Sequence, residues 1–184
     1  MKRIFIPIFL LSACSSIFAG ERDSFFSSDI KHGGFGGPSI HFTEINGETN
    51  YLVGGQGAWL INQKYYLGGA GYGSIKDVED TNEKLDYGGL LAGMKFDPLN
   101  KIHYSADILV GMGSLDDDSS NSNSSEDIFL VIEPGVYVNI SLTRFAELDI
   151  GITYRYINGS DQQDMSDSDL SSVSIGASVM FGKF

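Results

Sequence analysis

The sequence predicts an all-β protein, an eight-stranded antiparallel up-and-down transmembrane β-barrel, and three patterns predict it. Residues 35–184 divide into segments that mostly reach the roughly 9 to 11 residues a tilted strand needs to cross a bilayer. Short turns alternate with longer polar loops, and several strands carry one apolar face free of charge. No turn-free stretch follows the 3.6-residue period of an amphipathic helix. After the first residues, no run of about 18 apolar residues provides a membrane helix.

The chain opens with Met1-Lys2-Arg3, an apolar run from Ile4 to Leu11 and small residues up to Ala19. That order is the one of an export signal, assigned to residues 1–19. Two ways of processing it are open. Cleavage after Ala19 leaves a free mature chain, whereas Leu11-Ser12-Ala13-Cys14 matches a lipobox, in which Cys14 becomes lipidated. An integral barrel gains little from a lipid anchor, so cleavage after Ala19 is the preferred reading. Residues 20–34 then form an N-terminal entry segment and residues 35–184 the barrel.

Residues 20–184 carry 10 basic and 24 acidic side chains, a net charge of −14. Such a balance repels nucleic-acid phosphates and excludes that class of partner. The single cysteine lies in the leader, so the mature chain has no disulfide, thiolate zinc cluster or cysteine nucleophile.

Eight strands are expected in order: Gly36 to Ile45, Thr49 to Ile61, Tyr65 to Ile75, Leu85 to Phe96, Ile102 to Ser114, Asp127 to Leu142, Phe145 to Ile157 and Ser171 to Phe184. Tight connections follow the second, fourth and sixth strands: Asn62-Gln63-Lys64, Asp97 to Lys101, and Thr143-Arg144. Long polar ones follow the third, fifth and seventh: Lys76 to Lys84, Leu115 to Glu126, and Asn158 to Leu170. Only the first hairpin, at Asn46-Gly47, is tight on the long-loop side. Short turns on one rim and long loops on the other match an outer-membrane barrel with both termini on the periplasmic side.

Alternation is cleanest in the seventh strand, where Ala146, Leu148, Ile150, Ile152, Tyr154 and Tyr156 share a face opposite Glu147, Asp149, Thr153 and Arg155. In the sixth, Ile128, Leu130, Ile132, Val136, Val138 and Ile140 oppose Glu133, Tyr137 and Asn139. In the fifth, Ile102, Tyr104, Ala106, Ile108 and Val110 oppose His103, Ser105 and Asp107. Tyr51, Val53, Trp59 and Ile61 share a face in the glycine-rich second strand. Alternation alone does not say which face points in, and a soluble or lipid-anchored lipocalin-like barrel would turn the apolar face inward around a ligand. Two features favour the membrane arrangement. The polar face is poor in lysine, and the aromatic residues fall into two bands: Trp59, Tyr65, Tyr66, Phe96, Tyr104, Phe145, Phe181 and Phe184 near the short-turn rim, and Phe42, Tyr51, Tyr72, Tyr154 and Tyr156 near the other.

An export leader, eight amphipathic strands and the last strand, Val173 to Phe184, together resemble the small Gram-negative outer-membrane barrels of the outer-membrane protein A and X type. The resemblance implies that Phe181 and Phe184 belong to a terminal signal read by the barrel-assembly machinery. Phe184 has the opposite parity to Phe181, so the match implies a bulge or a frayed end near Gly182. Gly68 to Gly73, Tyr87-Gly88-Gly89, Glu133-Pro134-Gly135 and the Phe181-Gly182-Lys183-Phe184 ending also look like an uncharacterised group of secreted bacterial proteins, which brings no activity with it.

An eight-stranded lumen is narrow enough to be filled by side chains, so His41, Lys95, His103, Asp107, Glu133, Glu147, Asp149 and Arg155 are expected to meet there as a polar network. Its reading is structural, with a porin-like channel for small solutes as the alternative. His103 and Ser105 resemble the histidine and serine of the outer-membrane lipid A deacylase, with Glu147 or Glu133 as a third member. That enzyme works at the lipid-facing outer leaflet, whereas this pair stands at the opposite rim on the lumen side, so no enzyme is expected. Asp116, Asp117, Asp118, Glu126 and Asp127, and Asp161, Asp164, Asp167 and Asp169, make the surface-exposed loops acidic. Their calcium-loop match is poor, since Asn121 stands where glycine is wanted, so no metal and no cofactor are assigned. The expected partners are outer-membrane lipid and lipopolysaccharide, the assembly machinery, and an extracellular partner reached through the loops, in an adhesion-like or structural role.

Overall fold

The computed structural model describes residues 30–45, 48–75, 83–117, 127–159 and 171–184. They form a closed barrel of eight strands in sequence order, every neighbouring pair antiparallel. The strands are β1 (His32–Ile45), β2 (Glu48–Ile61), β3 (Tyr65–Ser74), β4 (Glu83–Phe96), β5 (Ile102–Asp117), β6 (Asp127–Ser141), β7 (Ala146–Asn158) and β8 (Ser172–Lys183). Among the described residues no helix is long and apolar enough to cross a membrane.

The element order is the expected one and the ends shift by a few residues. The largest shift is at β1, which begins at His32 inside the expected entry segment, because Gly33 and Gly34 pair with Leu60 and Trp59 of β2. The β2–β3 turn is closed by the Lys64 N–H donating to the Ile61 carbonyl at 3.1 Å. Asn62 and Gln63 both take positive φ there, 55° and 56°, the geometry that lets a tight hairpin follow the twist of its strands. The β6–β7 connection is one residue longer, with Leu142 N–H donating to Ala146 O at 3.0 Å.

Side chains are distributed inside out. Val53, Leu67, Leu90, Ile108, Val110, Leu130, Val136, Ile150, Ile152 and Ile175 stand on the outside and are exposed, whereas Glu133, Glu147, Asp149 and Arg155 are sealed within. Water would penalise such a coat heavily and hydrocarbon would not, so the lipocalin-like alternative is overturned. That fold needs the apolar faces turned in.

Two aromatic bands survive with fewer members than expected. Trp59, Tyr65, Phe96, Tyr104, Phe145 and Phe181 are exposed near the short-turn rim, and Phe42, Tyr154 and Tyr156 near the other, with Tyr51 packed edge-on to Phe42 at 5.3 Å. Tyr66 and Tyr72 leave the bands because their parity turns them into the lumen. Phe184 turns inward too, stacking on Phe35 at 5.9 Å. No bulge at Gly182 is needed for this. The β1–β8 register runs unbroken through Phe35↔Gly182 and Gly36↔Phe181, so Phe181 faces out and Phe184 faces in.

The glycines make room for the rings that fill the interior. Tyr66 is the direct cross-strand partner of Gly93, Tyr72 of Gly54, Phe129 of Gly113, Tyr137 of Gly151 and His41 of Gly176. In each pair a Cβ on the glycine would fall within 2.8 Å of the opposing ring. Each ring therefore lies across a bare stretch of neighbouring backbone, shielding it and occupying the space a side chain would fill. This is how a lumen of only eight strands holds so many rings.

Candidate functional site

All eight residues expected in the polar network face the lumen, seven of them in two groups with Asp107 between. The first lies toward the short-turn rim. Lys95, near the end of β4, donates to Glu147 Oε1 at the start of β7. His103 Nε2 stands 3.3 Å from Glu147 Oε2, and its Nδ1 lies 3.1 Å from the Asn100 carbonyl oxygen. Asn139 Nδ2 donates to Asp149 Oδ1 at 2.8 Å. Lys95 Nζ also lies over the rings of Phe35 and Phe184, 5.2 and 4.6 Å from their centroids, which places its ammonium between a carboxylate and two ring faces.

The second group sits further up the barrel. Tyr87 Oη donates to Glu133 Oε2 at 2.6 Å, a short charge-assisted bond. His41 Nδ1 is 3.9 Å from Glu133 Oε1, and the His41 ring tilts against Tyr72 at 4.6 Å. Arg155 on β7 places its guanidinium 5.6 Å from the Tyr87 ring centroid and donates from Nη2 to Thr43 Oγ1 at 3.5 Å. Asp107 lies between the groups and accepts from Tyr66 Oη at 3.0 Å.

The sequence reading left out the apolar layers. Leu52, Leu85, Phe129, Val131 and Ile157 are buried inside the long-loop end, and Phe35, Leu60 and Met180 inside the short-turn end. Their parity within each strand was the available signal. Leu52 and Leu60 share the face of Asn50 and Gln56, and Val131 that of Glu133. A face labelled polar by its charges hid them.

His103 and Ser105 share the lumen face, both buried, with the β-sheet wall between them and lipid. The His103–Glu147 approach belongs to this interior cluster. Most of the acidic-loop residues, and the calcium question with them, lie outside the described residues, as do the leader and Cys14.

No family model matches the chain, and no curated protein sequence does either. Solved structures do. Neisserial surface protein A superposes with a TM-score of 0.55 at 20% identity, covering 84% of this chain and 99% of that one. This chain has the fold of the small outer-membrane barrels. Ail, the attachment invasion locus protein of Yersinia pestis, solved in complex with the heparin analogue sucrose octasulfate, gives 0.54 at 12% identity, covering 82% and 97%. The N-terminal β-barrel domain of Pseudomonas aeruginosa OprF gives 0.53 at 11%, covering 81% and 96%. At such identities only the fold is shared, and it is shared over almost the full length of each neighbour.

Proposed function

We propose that the chain is a non-catalytic integral barrel of the Gram-negative outer membrane, acting at the cell surface through its acidic loops while the filled lumen serves as a rigid plug. The observation that carries this reading is the layered interior. Apolar side chains pack inside both ends, with the Lys95–Glu147 pair beside the short-turn layer and the Tyr87–Glu133 bond further up. A conducting barrel needs a continuous wet path, and buried apolar side chains within the lumen support the plug reading over the channel.

The loops set the chemistry of a partner. Asp77, Glu79 and Asp80 between β3 and β4 with Glu83 opening β4, then Asp116 and Asp117 ending β5 with Asp118 and Glu126 after them, then Asp161, Asp164, Asp167 and Asp169 after β7 make these connections acidic, with only Lys76 and Lys84 among them. Ail was solved with a sulfated sugar. Loops this acidic repel such a polyanion, so the partner is a basic surface, or lipopolysaccharide phosphate reached through bridging divalent ions.

Membrane fractionation with heat-modifiable gel mobility tests the location, and a heat-shifted outer-membrane band is expected. Replacing Asp161, Asp164, Asp167 and Asp169 by asparagine tests the role. Adhesion of expressing cells to a polylysine-coated surface should fall while the heat-shifted band persists. Equal adhesion of both strains would remove the loop hypothesis.

A further inference from the structure

Among the described residues, the short-turn rim of the barrel is basic. Lys31, Lys64, Lys101, Arg144 and Lys183 are all exposed on that rim, where Asp97 is the only exposed carboxylate side chain among the described residues. Four of these cations stand within two residues of an outward apolar or aromatic side chain of the interfacial band: Lys64 before Tyr65, Lys101 before Ile102, Arg144 before Phe145, Lys183 two after Phe181. Lys64 Nζ lies 5.6 Å from the Tyr65 ring centroid. These cations therefore stand at headgroup depth beside the belt that marks the edge of the hydrocarbon.

Barrel closure brings three of the rim cations, Lys31, Lys64 and Lys183, to one stretch of the rim. Pairing of Gly34 with Lys183, and the Asn62 N–H donating to the Lys31 carbonyl at 2.8 Å, bring the start of β1, the β2–β3 turn and the end of β8 together. Between them is a cleft of about 310 Å³ lined by Lys31, His32, Gly33, Gln63, Lys183 and Phe184. No acidic side chain lines it. The main-chain oxygen of Phe184, which competes for the lysines, already accepts from Gln63 Nε2 at 3.2 Å. The wall is completed by His32 stacked on Trp59 at 5.3 Å, so the cleft opens beside an aromatic ring on the lipid face.

We propose that this cleft seats the phosphodiester headgroup of an anionic phospholipid, with Lys31 and Lys183 meeting the phosphate, Lys64 flanking it, and the acyl chains running down past Trp59. The occupant is a lipid because the cations sit level with the interfacial belt, where headgroups are held at high local concentration. The site rests on the membrane reading above, and its failure is separable from failure of that reading.

Trp59 is the only tryptophan of the chain and reports on its own neighbours. The full chain is refolded into vesicles of brominated phosphatidylcholine mixed with increasing phosphatidylglycerol, and relief of Trp59 quenching gives the relative association of the two lipids. Phosphatidylglycerol should be preferred roughly fivefold, the factor expected for about one headgroup–lysine contact. The preference should fall to parity in the K31Q/K64Q/K183Q variant and persist in K84Q on the opposite rim. Inorganic phosphate at matched ionic strength should leave it unchanged. Parity in the wild-type protein with a heat-shifted band overturns the lipid seat and leaves the membrane reading standing, whereas failure to insert overturns both. Displacement by inorganic phosphate, or a preference retained by the triple variant, also overturns the proposal.

Discussion

Lys95 of β4 and Glu147 of β7 reach across the lumen to each other, and each is all but sealed from solvent, at 3% and 1% exposure. The two strands are not neighbours in the sheet, so the pair ties opposite walls of the cylinder. Phe35 and Phe184 cover the ammonium and His103 the second carboxylate oxygen, so loss of either charge strands the other in a place water reaches poorly. Lys95→Met should cost about 3 to 5 kcal/mol, most of it the penalty of an unpaired Glu147. Lys95→Met combined with Glu147→Leu should recover most of that loss. Urea unfolding from vesicles, followed by Trp59 emission, measures both, and a single variant within about 1 kcal/mol of wild type would show that the pair is dispensable.

Tyr87 offers a milder test in the upper group. Its hydroxyl holds Glu133 at 2.6 Å while its ring lies 5.6 Å from the Arg155 guanidinium, so the phenol links the acid to the base of that group. Tyr87→Phe keeps the ring and removes one hydrogen bond to a buried carboxylate, which should cost about 1.5 to 3 kcal/mol. Tyr66→Phe, which frees Asp107 from a 3.0 Å bond, should fall in the same range. Equilibrium unfolding of the two variants and their double combination should give near-additive losses if the groups act separately.

The ring-over-glycine pairs predict a sharp contrast between the two faces of the wall. A Cβ at Gly151 would stand 2.2 Å from the Tyr137 ring, whereas one at the outward-facing Gly57 would meet its nearest neighbour at 3.5 Å. Gly151→Val should therefore destabilise by about 1 to 3 kcal/mol or more through overpacking, and Gly57→Ala should stay within roughly 0.5 kcal/mol. Heat-modifiability midpoints of the two variants are enough to rank them.

The strand count, the alternation of turns and loops, and the lumen-facing set of charges were all legible in the sequence because each is a property of one strand or one connection read alone. Glu147, Asp149 and Arg155 declare themselves by parity against Leu148, Ile150 and Tyr154. What was not legible depends on register. That Tyr66 covers Gly93, or that Lys95 meets Glu147 from a strand three places round the barrel, follows from pairings no single strand records. Tyr66 and Tyr72 stand at the height of the interfacial bands, but parity places both inside. The same attention to parity places Leu52, Leu85 and Ile157 in the lumen.

Parity also divides the two terminal aromatic residues into different jobs, and this gives the last prediction. Phe181 is exposed on the lipid face, 51% accessible, and its cross-strand partners are Gly36 and Ala146, so little protein packs on it. Phe184 stacks on Phe35 inside the barrel and lies beneath the Lys95 ammonium at 4.6 Å. Phe184→Ala should then lower the stability of the assembled barrel by about 1 to 3 kcal/mol, because it opens the lower end of the lumen beside a buried ion pair. Phe181→Ala should leave equilibrium unfolding within roughly 0.5 kcal/mol of wild type, as expected for a surface position. If the terminal strand is read by an assembly machinery through its outward face, the same Phe181→Ala variant should accumulate more slowly as heat-shifted protein in cells. Pulse-labelling of assembly beside urea unfolding of the purified barrels separates the two effects. A Phe181→Ala barrel that assembles at the wild-type rate would withdraw the signal role from that residue, and a Phe184→Ala barrel of unchanged stability would show that the stack on Phe35 does not hold the lumen closed.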